Sequence, residues 1–320
     1  AQLCAEAVRR LEQRTGLSLL PELGLLACGT STPDQLLPSH AAMVHGELGA
    51  PVCEIVSMAC ACCTGTAALK YATLAVGSGE HPRAVGTASE LSSPLMRARR
   101  FGPEQDERTA ALEKHPHLAF EYDFLRWMLS DGAAAVLVEP EPKERGSSRP
   151  LRIEWIESMS FAGESEVCMY HLGIKRDGKF LSWKSTDDPQ AWVRDGYLNM
   201  GQDARLLSEQ IGLMAGPRGM GRVLKKHPMK ADDVDWFVSH HSSNFFLPEV
   251  QRRLAEAGLP IPPERQFSTL VEQGNTGAAA IYLSLEALGA RGSLKPGQKV
   301  LAFVPESARF SVTYMLFTVL

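Results

Sequence analysis

The chain has 320 residues, with 33 Lys and Arg against 37 Asp and Glu, a net charge of −4. A hydrophobic share of 44% suits a soluble globular protein with a sizeable core and excludes a disordered chain. There is no basic excess to displace counterions from phosphates, so nucleic acid is not an expected partner, and no apolar run approaches a bilayer span or forms a signal core. Residues 3–15 place Leu3, Ala7, Val8 and Leu11 at helical spacing, and Gly16 suits the helix end. The short apolar run 23–28 reads as a buried strand that empties into Gly29-Thr30-Ser31-Thr32-Pro33. A helix at 39–48, a strand at 52–56, an Ala-rich helix at 64–76 and strands at 83–89 and 133–139 follow. Between the last two strands, residues 96–127 are polar and rich in Arg and Glu, as expected of a surface excursion or lid.

The polar Pro/Gly/Ser stretch 140–150 divides the chain into an expected N-terminal half, 1–140, and C-terminal half, 141–320. Beyond it the pattern recurs: a long helix at 204–226, a strand at 236–239, a helix at 246–257, a strand at 266–270, an Ala-rich helix at 277–288, and strands at 300–305 and 311–320. A repeat of this size predicts two pseudo-symmetric βα units with buried parallel strands, and a site where their strand ends meet.

Seven cysteines, three of them at 60, 62 and 63, do not space as a disulfide framework, which points to a reducing cytoplasm. Zinc on Cys60, Cys62 and Cys63 is disfavoured because no second Cys/His pair stands at metal-ligand spacing. Cys60 ends a strand and precedes an Ala-rich helix, so its sulfur falls near a helix N-terminus, where unpaired N–H groups favour thiolate. The plain alternative is a small buried core cysteine. His240 ends the strand 236–239 and can exchange a proton with a reacting carbonyl, with His241 the better candidate for a purely structural histidine. Asn275 opens the second Ala-rich helix, where asparagine is otherwise a common cap. A Cys, a His and an Asn at matching turns of a repeat form a convergent site. Glu90 could act as a base, against the alternative of a solvated loop carboxylate. Arg222, Lys226, Arg252 and Arg253 could border the site as a basic rim for an acidic carrier protein, against the alternative of solvated helix faces.

At these residues the sequence resembles the thiolase-like condensing enzymes of the β-ketoacyl-[acyl-carrier-protein] synthase III group. Met58-Ala59-Cys60-Ala61 resembles the nucleophile motif, Trp236-Phe237-Val238-Ser239-His240 the histidine motif, Gly274-Asn275-Thr276 the asparagine motif, and Ser130-Asp131-Gly132-Ala133 the family's Gly-Asp-Gly-Ala strand start. The resemblance implies an α/β thiolase-like fold, a layered αβαβα sandwich, and a Claisen condensation of two acyl thioesters through an acyl-cysteine on Cys60, with His240 and Asn275 acting on the second thioester. It implies no metal or redox cofactor, acyl carrier protein or coenzyme A as carrier, and a homodimer. Family members begin with an earlier strand, so the chain is expected to start inside the N-terminal half. His241-Ser242-Ser243 replaces the residues that follow the family histidine, and Pro305-Glu306-Ser307-Ala308 replaces a Gly-rich loop. Those departures resemble the subgroup that forms cyclohexanediones and dialkylresorcinols, with Glu306 and Ser307 as pocket residues and Glu306 as an additional base. The alternatives are an ordinary decarboxylative synthase using malonyl-carrier protein, an acyltransferase to an alcohol or amine, and a non-catalytic partner subunit.

Overall fold

The computed structural model describes residues 1–97, 125, 127–143, 149–176 and 178–320. Most of the expected excursion at 96–127 therefore lies outside the described residues. Strands β1 (Leu25–Thr30), β2 (Glu54–Ala59), β3 (Ala84–Glu90) and β4 (Gly132–Val138) form a first sheet in the order β2-β1-β3-β4. Strands β5 (Leu151–Ser160), β10 (Trp236–Ser239), β11 (Gln266–Phe267), β12 (Lys299–Glu306) and β13 (Ser311–Val319) form a second, in the order β11-β10-β12-β13-β5. Between them in sequence lie the short strands β6 (Met169–Tyr170), β7 (Gly173–Arg176), β8 (Lys179–Ser182) and β9 (Gly201–Gln202), paired as two small ribbons. In each large sheet three strands run parallel and the next is antiparallel. The central strands β1 and β3 are buried along their whole length, and β1 accordingly opens on a continuous apolar run rather than an alternating one.

Helices α1 (Gln2–Thr15), α2 (His40–Leu48) and α3 (Thr64–Gly77) accompany the first sheet. The other helices are α4 (Pro189–Arg194), α5 (Ala204–Leu213), α6 (Gly221–Lys226), α7 (Leu247–Glu256), the one-turn α8 (Leu270–Gln273) and α9 (Ala280–Ala290). Cys4, Val8 and Val44 of α1 and α2 pack on Leu26 and Val85 at one face of the first sheet. Leu207 and Leu254 of α5 and α7 pack on Phe237 and Leu301 of the second. Leu69 of α3 and Ile281 of α9 share a core with Ala88 and Val300, one from each sheet. Helices therefore cover both outer faces and fill the space between the sheets, giving the thiolase-like αβαβα sandwich.

The central layer explains the alanines and glycines in α3 and α9. An ideal Cβ on Gly65 would lie 2.4 Å from the Ala278 carbonyl oxygen and 2.9 Å from the Ala88 Cβ, so only glycine lets the two helices approach. The Tyr282 hydroxyl donates to the Gly65 carbonyl at 2.7 Å across the same contact.

The long helix expected at 204–226 is interrupted: Met214–Met220 forms a π-helical turn between α5 and α6. Pro217 is the cause. It has no N–H to donate, and in a regular helix its ring would clash with the carbonyl four residues back, so the turn widens. The Tyr314 hydroxyl donates to the Ala215 carbonyl within this turn.

Candidate active site

One cavity runs from the ends of the central strands to the space between α5 and α7, and it encloses about 1010 Å³ counting its open mouth. Cys62, His240 and Asn275 all line it. Cys62 and His240 come from turns after strands, Cys62 after β2 and just ahead of α3 and His240 after β10, while Asn275 lies between α8 and the helical segment that starts at Gly277.

The cysteine placed in the cavity is not the one expected. Cys60 follows β2 directly, is exposed as a residue, and does not line the cavity. Its sulfur lies against the Glu306 carboxylate, and burial together with that charge pushes the thiol up to about 11. Cys60 alone separates β2 from the cavity wall, which begins at Ala61, and α3 begins only at Thr64, so the strand end and the helix N-terminus are not the same place. Cys63 turns the other way: it is buried, its Sγ is 3.5 Å from the Val304 carbonyl, and it accepts from Thr313 Oγ1 at 3.6 Å. Cys62 stands between them at the wall. Its thiol is held well above its ordinary value, first by burial and then by the carboxylate of Glu306.

His240 is anchored through its backbone, its N–H donating to the Phe303 carbonyl at 2.9 Å. Its imidazole makes no side-chain hydrogen bond among the described residues, and burial, with His241 beside it, lowers its pKa to about 4. The ring is therefore neutral at physiological pH and has a free nitrogen to offer a ligand. His241 is spoken for, with Nδ1 3.2 Å from Ser239 Oγ and Nε2 3.1 Å from Asn244 Oδ1. Asn275 is fixed on both sides of its side chain. Its Oδ1 accepts from the Gly277 N–H at 3.1 Å and its backbone carbonyl accepts from the Ser130 N–H at 2.8 Å, which leaves the amide N–H groups for the cavity.

Glu90 is not a solvated loop carboxylate. It is the last residue of β3, 2% exposed, and lines the cavity. Its carboxylate accepts from the Ser31 N–H at 3.0 Å, Ser31 Oγ at 2.8 Å, Thr32 Oγ1 at 2.7 Å and the Ala278 N–H at 3.3 Å. Burial nonetheless raises its pKa. Glu306, also 2% exposed, accepts from the N–H groups of Ala308 at 2.6 Å and Ser311 at 3.1 Å, closing its own hairpin, and it does not line the cavity. Its neighbours Pro305 and Ser307 do. Gln202 was not singled out from sequence, having no motif around it. Its Nε2 donates to Ser307 Oγ at 3.3 Å on the cavity wall, and its buried Oε1 has no partner among the described residues.

Three of the four residues of the basic rim are paired with carboxylates. Arg252 and Arg253 both pair with Glu249 and Glu256, and Lys226 pairs with Glu157 at 2.6 Å. Arg222 lies over the Phe161 ring at 5.6 Å. Among the described residues no helix is long and apolar enough to cross a membrane, and no group of three or more His, Cys, Asp or Glu is arranged to hold a metal ion.

The family model described as 3-oxoacyl-[acyl-carrier-protein (ACP)] synthase III C terminal matches residues 224–304, a span that holds His240 and Asn275. A β-ketoacyl-[acyl-carrier-protein] synthase III of Streptomyces coelicolor is 28% identical over 283 residues, covering 88% of this chain and 71% of the relative. Among solved structures, a variant of OleA from Xanthomonas campestris superposes with a TM-score of 0.74 at 19% identity, covering 99% of this chain and 80% of that one. AbyA1, a tetronic acid condensing enzyme, does so at 0.72 and 17%, covering 98% and 84%. Sequence and fold agree: over most of its length the chain is similar to β-ketoacyl-[acyl-carrier-protein] synthase III proteins, and its fold is thiolase-like.

Proposed function

We propose that the protein joins two acyl thioesters in a Claisen-type condensation, with Cys62 rather than Cys60 as the acyl acceptor. The observation that carries this reading is the meeting of Cys62, His240 and Asn275 in one cavity from three turns of the repeat. The Cys62 sulfur attacks the first thioester carbonyl. A new C–S bond forms, the bond to the carrier sulfur breaks, and the cysteine proton passes through the neutral His240 imidazole to the departing thiolate. The second thioester then loses carbon dioxide or an α-proton, and the enolate oxygen is held by His240 and the Asn275 amide N–H. Its carbon attacks acyl-Cys62, a C–C bond forms, and the cysteine is released.

The finer reading is a cyclic product: a β-ketoacyl and an α,β-unsaturated acyl thioester closing to a 1,3-cyclohexanedione. Support comes from Pro305 and Ser307 on the cavity wall, where the family carries a Gly-rich loop, and from a buried carboxylate beside the site. Of the two candidate bases, Glu90 is the one on the cavity, so the additional proton transfer is assigned to it rather than to Glu306. A linear β-ketoacyl product from malonyl-carrier protein is the second reading, favoured by the match to the synthase III family model. Acyl carrier protein or coenzyme A delivers the substrates. A second copy of the chain pairs along β2, an edge strand that is partly exposed while its neighbour β1 is buried.

Intact-protein mass spectrometry with a panel of acyl thioesters, followed by NMR of the products, tests this. Cys62→Ala should abolish loading and lower turnover by roughly 10⁴-fold or more, while Cys60→Ala and Cys63→Ala should still load. Acyl mass that survives Cys62→Ala and disappears with Cys60→Ala returns the nucleophile to the strand end. An acyl-enzyme that yields only esters or amides, with no new carbon–carbon bond, makes the protein an acyltransferase of another kind.

A further inference from the structure

Glu90 is a buried carboxylate whose acceptor capacity is full. The two oxygens of a carboxylate offer about four lone-pair sites. Four donors occupy them: the Ser31 N–H at 3.0 Å, the Ala278 N–H at 3.3 Å, Ser31 Oγ at 2.8 Å and Thr32 Oγ1 at 2.7 Å. On the side of the second repeat the chain closes over it, since an ideal Cβ on Gly277 would lie 2.8 Å from Glu90 Cγ. At 2% exposed, and with every site taken, the carboxylate receives a proton from the cavity only through one of its donors. A backbone N–H cannot pass a proton on. The two hydroxyls differ. Thr32 is buried, does not line the cavity, and its oxygen already accepts from the Leu91 N–H at 2.9 Å. Ser31 lines the cavity and is only partly buried, and among the described residues its Oγ makes no hydrogen bond besides the one it donates to Glu90 Oε2.

We infer that Ser31 is a catalytic residue, the hydroxyl through which Glu90 takes a proton from the bound substrate. This rests on the reading of Glu90 as the base for ring closure and names the group that serves it. The C–H bond at the acidic carbon of the β-ketoacyl unit breaks, and its electron pair stays on the substrate as an enolate. The proton forms an O–H bond to Ser31 Oγ, while the hydrogen that Ser31 already carries passes to Glu90 Oε2. Serine ends neutral, as it began, and the carboxylate ends as the acid. Once the enolate carbon has attacked the unsaturated partner, the proton returns by the same two steps to the enolate which that attack leaves. The 2.8 Å between Ser31 Oγ and Glu90 Oε2 is within the reach that proton transfer needs. Burial raises the proton affinity of Glu90 against the pull of its donors, as a base requires. The location fits as well: Ser31, Glu90, Cys62 and Asn275 line one cavity, and the charge of Glu90 adds to burial, Glu306 and Cys63 in raising the Cys62 thiol.

Condensation of β-ketooctanoyl-coenzyme A with α,β-unsaturated octenoyl-coenzyme A, its products read by mass spectrometry and NMR, tests the relay in the full chain. Rates are taken per acylated Cys62, and circular dichroism melts confirm that each variant is folded. Ser31→Ala should slow formation of the cyclic dione by about 10²-fold, the lower end of what a positioned proton-transfer group contributes. Ser31→Thr keeps a hydroxyl and should restore the rate to within about fivefold of the wild type, which a purely structural role for the serine would not require. Glu90→Gln removes the final acceptor and should lose the dione with Ser31→Ala. Loss in both Ser31 variants, or in neither, while Glu90→Gln loses the dione, overturns the inference alone and leaves Glu90 as the base. Dione formed by Glu90→Gln at the wild-type rate, or only linear product from the wild type, overturns the Glu90 reading and the inference together.

Discussion

The two repeats carry the same scaffold and end their equivalent strands in the same residue type, yet use it differently. β3 ends in Glu90 and β12 in Glu306, each 2% exposed and each raised in pKa by burial. Glu90 reaches outward, binding Ser31 and Thr32 of its own sheet's loop and the Ala278 N–H of the other repeat. Glu306 reaches back to Ala308 and Ser311 in the turn it begins. A buried carboxylate needs its donors supplied, and the two repeats supply them from different places. One glutamate therefore ties the halves together beside the cavity, and the other fixes a hairpin whose flanking Pro305 and Ser307 shape the wall. The sheets differ too. The second has a fifth strand, β5, beside β13, while in the first β4 has no described strand on its far side and is only partly buried.

The largest expected effect tests Glu90. Glu90→Ala would leave two buried N–H groups and two hydroxyls without their acceptor, and should cost about 3–5 kcal/mol in chemical denaturation. Glu306→Ala should cost about half as much, because it strands only the two N–H groups of one hairpin. Equal losses would mean that the cross-repeat bonds of Glu90 carry no particular weight.

Protonation comes next. The folded pKa of His240 is about 4, below its ordinary 6.5, so in acid the unfolded chain takes a proton that the folded one refuses. Its contribution is full above pH 6.5, is lost as pH falls towards about 4, and is level below that, up to about 3 kcal/mol in all. His240→Gln should flatten that part of the stability–pH curve, and the acid limb of kcat/KM should sit near pH 4 rather than 6.5. An acid limb near 6.5 would place the imidazole in a wetter site.

Gly65→Ala tests the central layer. With Ala278 and Ala88 already in contact, the added methyl should cost about 1–3 kcal/mol, measured by thermal melting, and should lower condensation more than loading by shifting the Asn275 turn relative to Cys62. The smallest effect belongs to the basic rim. Arg252 is already paired with Glu249 and Glu256, so Arg252→Ala should change stability by less than about 1 kcal/mol and the KM for carrier-bound substrate by no more than about twofold. A large rise in KM confined to carrier-bound thioesters would restore a docking role.

Much of this was legible in the residues. Buried parallel strands show themselves as apolar runs, and the order of helices and strands in both repeats follows from periodicity and from Gly and Pro at the turns. His240 sits at the strand end where its motif puts it, because β10 runs straight into the site. The interruption at Met214–Met220 is foreshadowed by Pro217, but a proline inside a helix predicts a break without saying that a tyrosine from β13 will take up a carbonyl there. Residue spacing could not choose among Cys60, Cys62 and Cys63. A strand end and a helix start two or three residues apart turn adjacent side chains in different directions, and packing against β12 and β13 decided that Cys63 faces inward and Cys62 faces the cavity. Charge divides the same way: the partners of Arg252 and Arg253, Glu249 and Glu256, stand one helical turn away in the sequence, whereas Glu157 comes to Lys226 only through the fold. Local sequence determines which elements form and where they end, because those choices are made by near neighbours. Which thiol, which carboxylate and which helix face meet in one cavity depends on contacts between residues far apart in the chain, and only the tertiary structure supplies them.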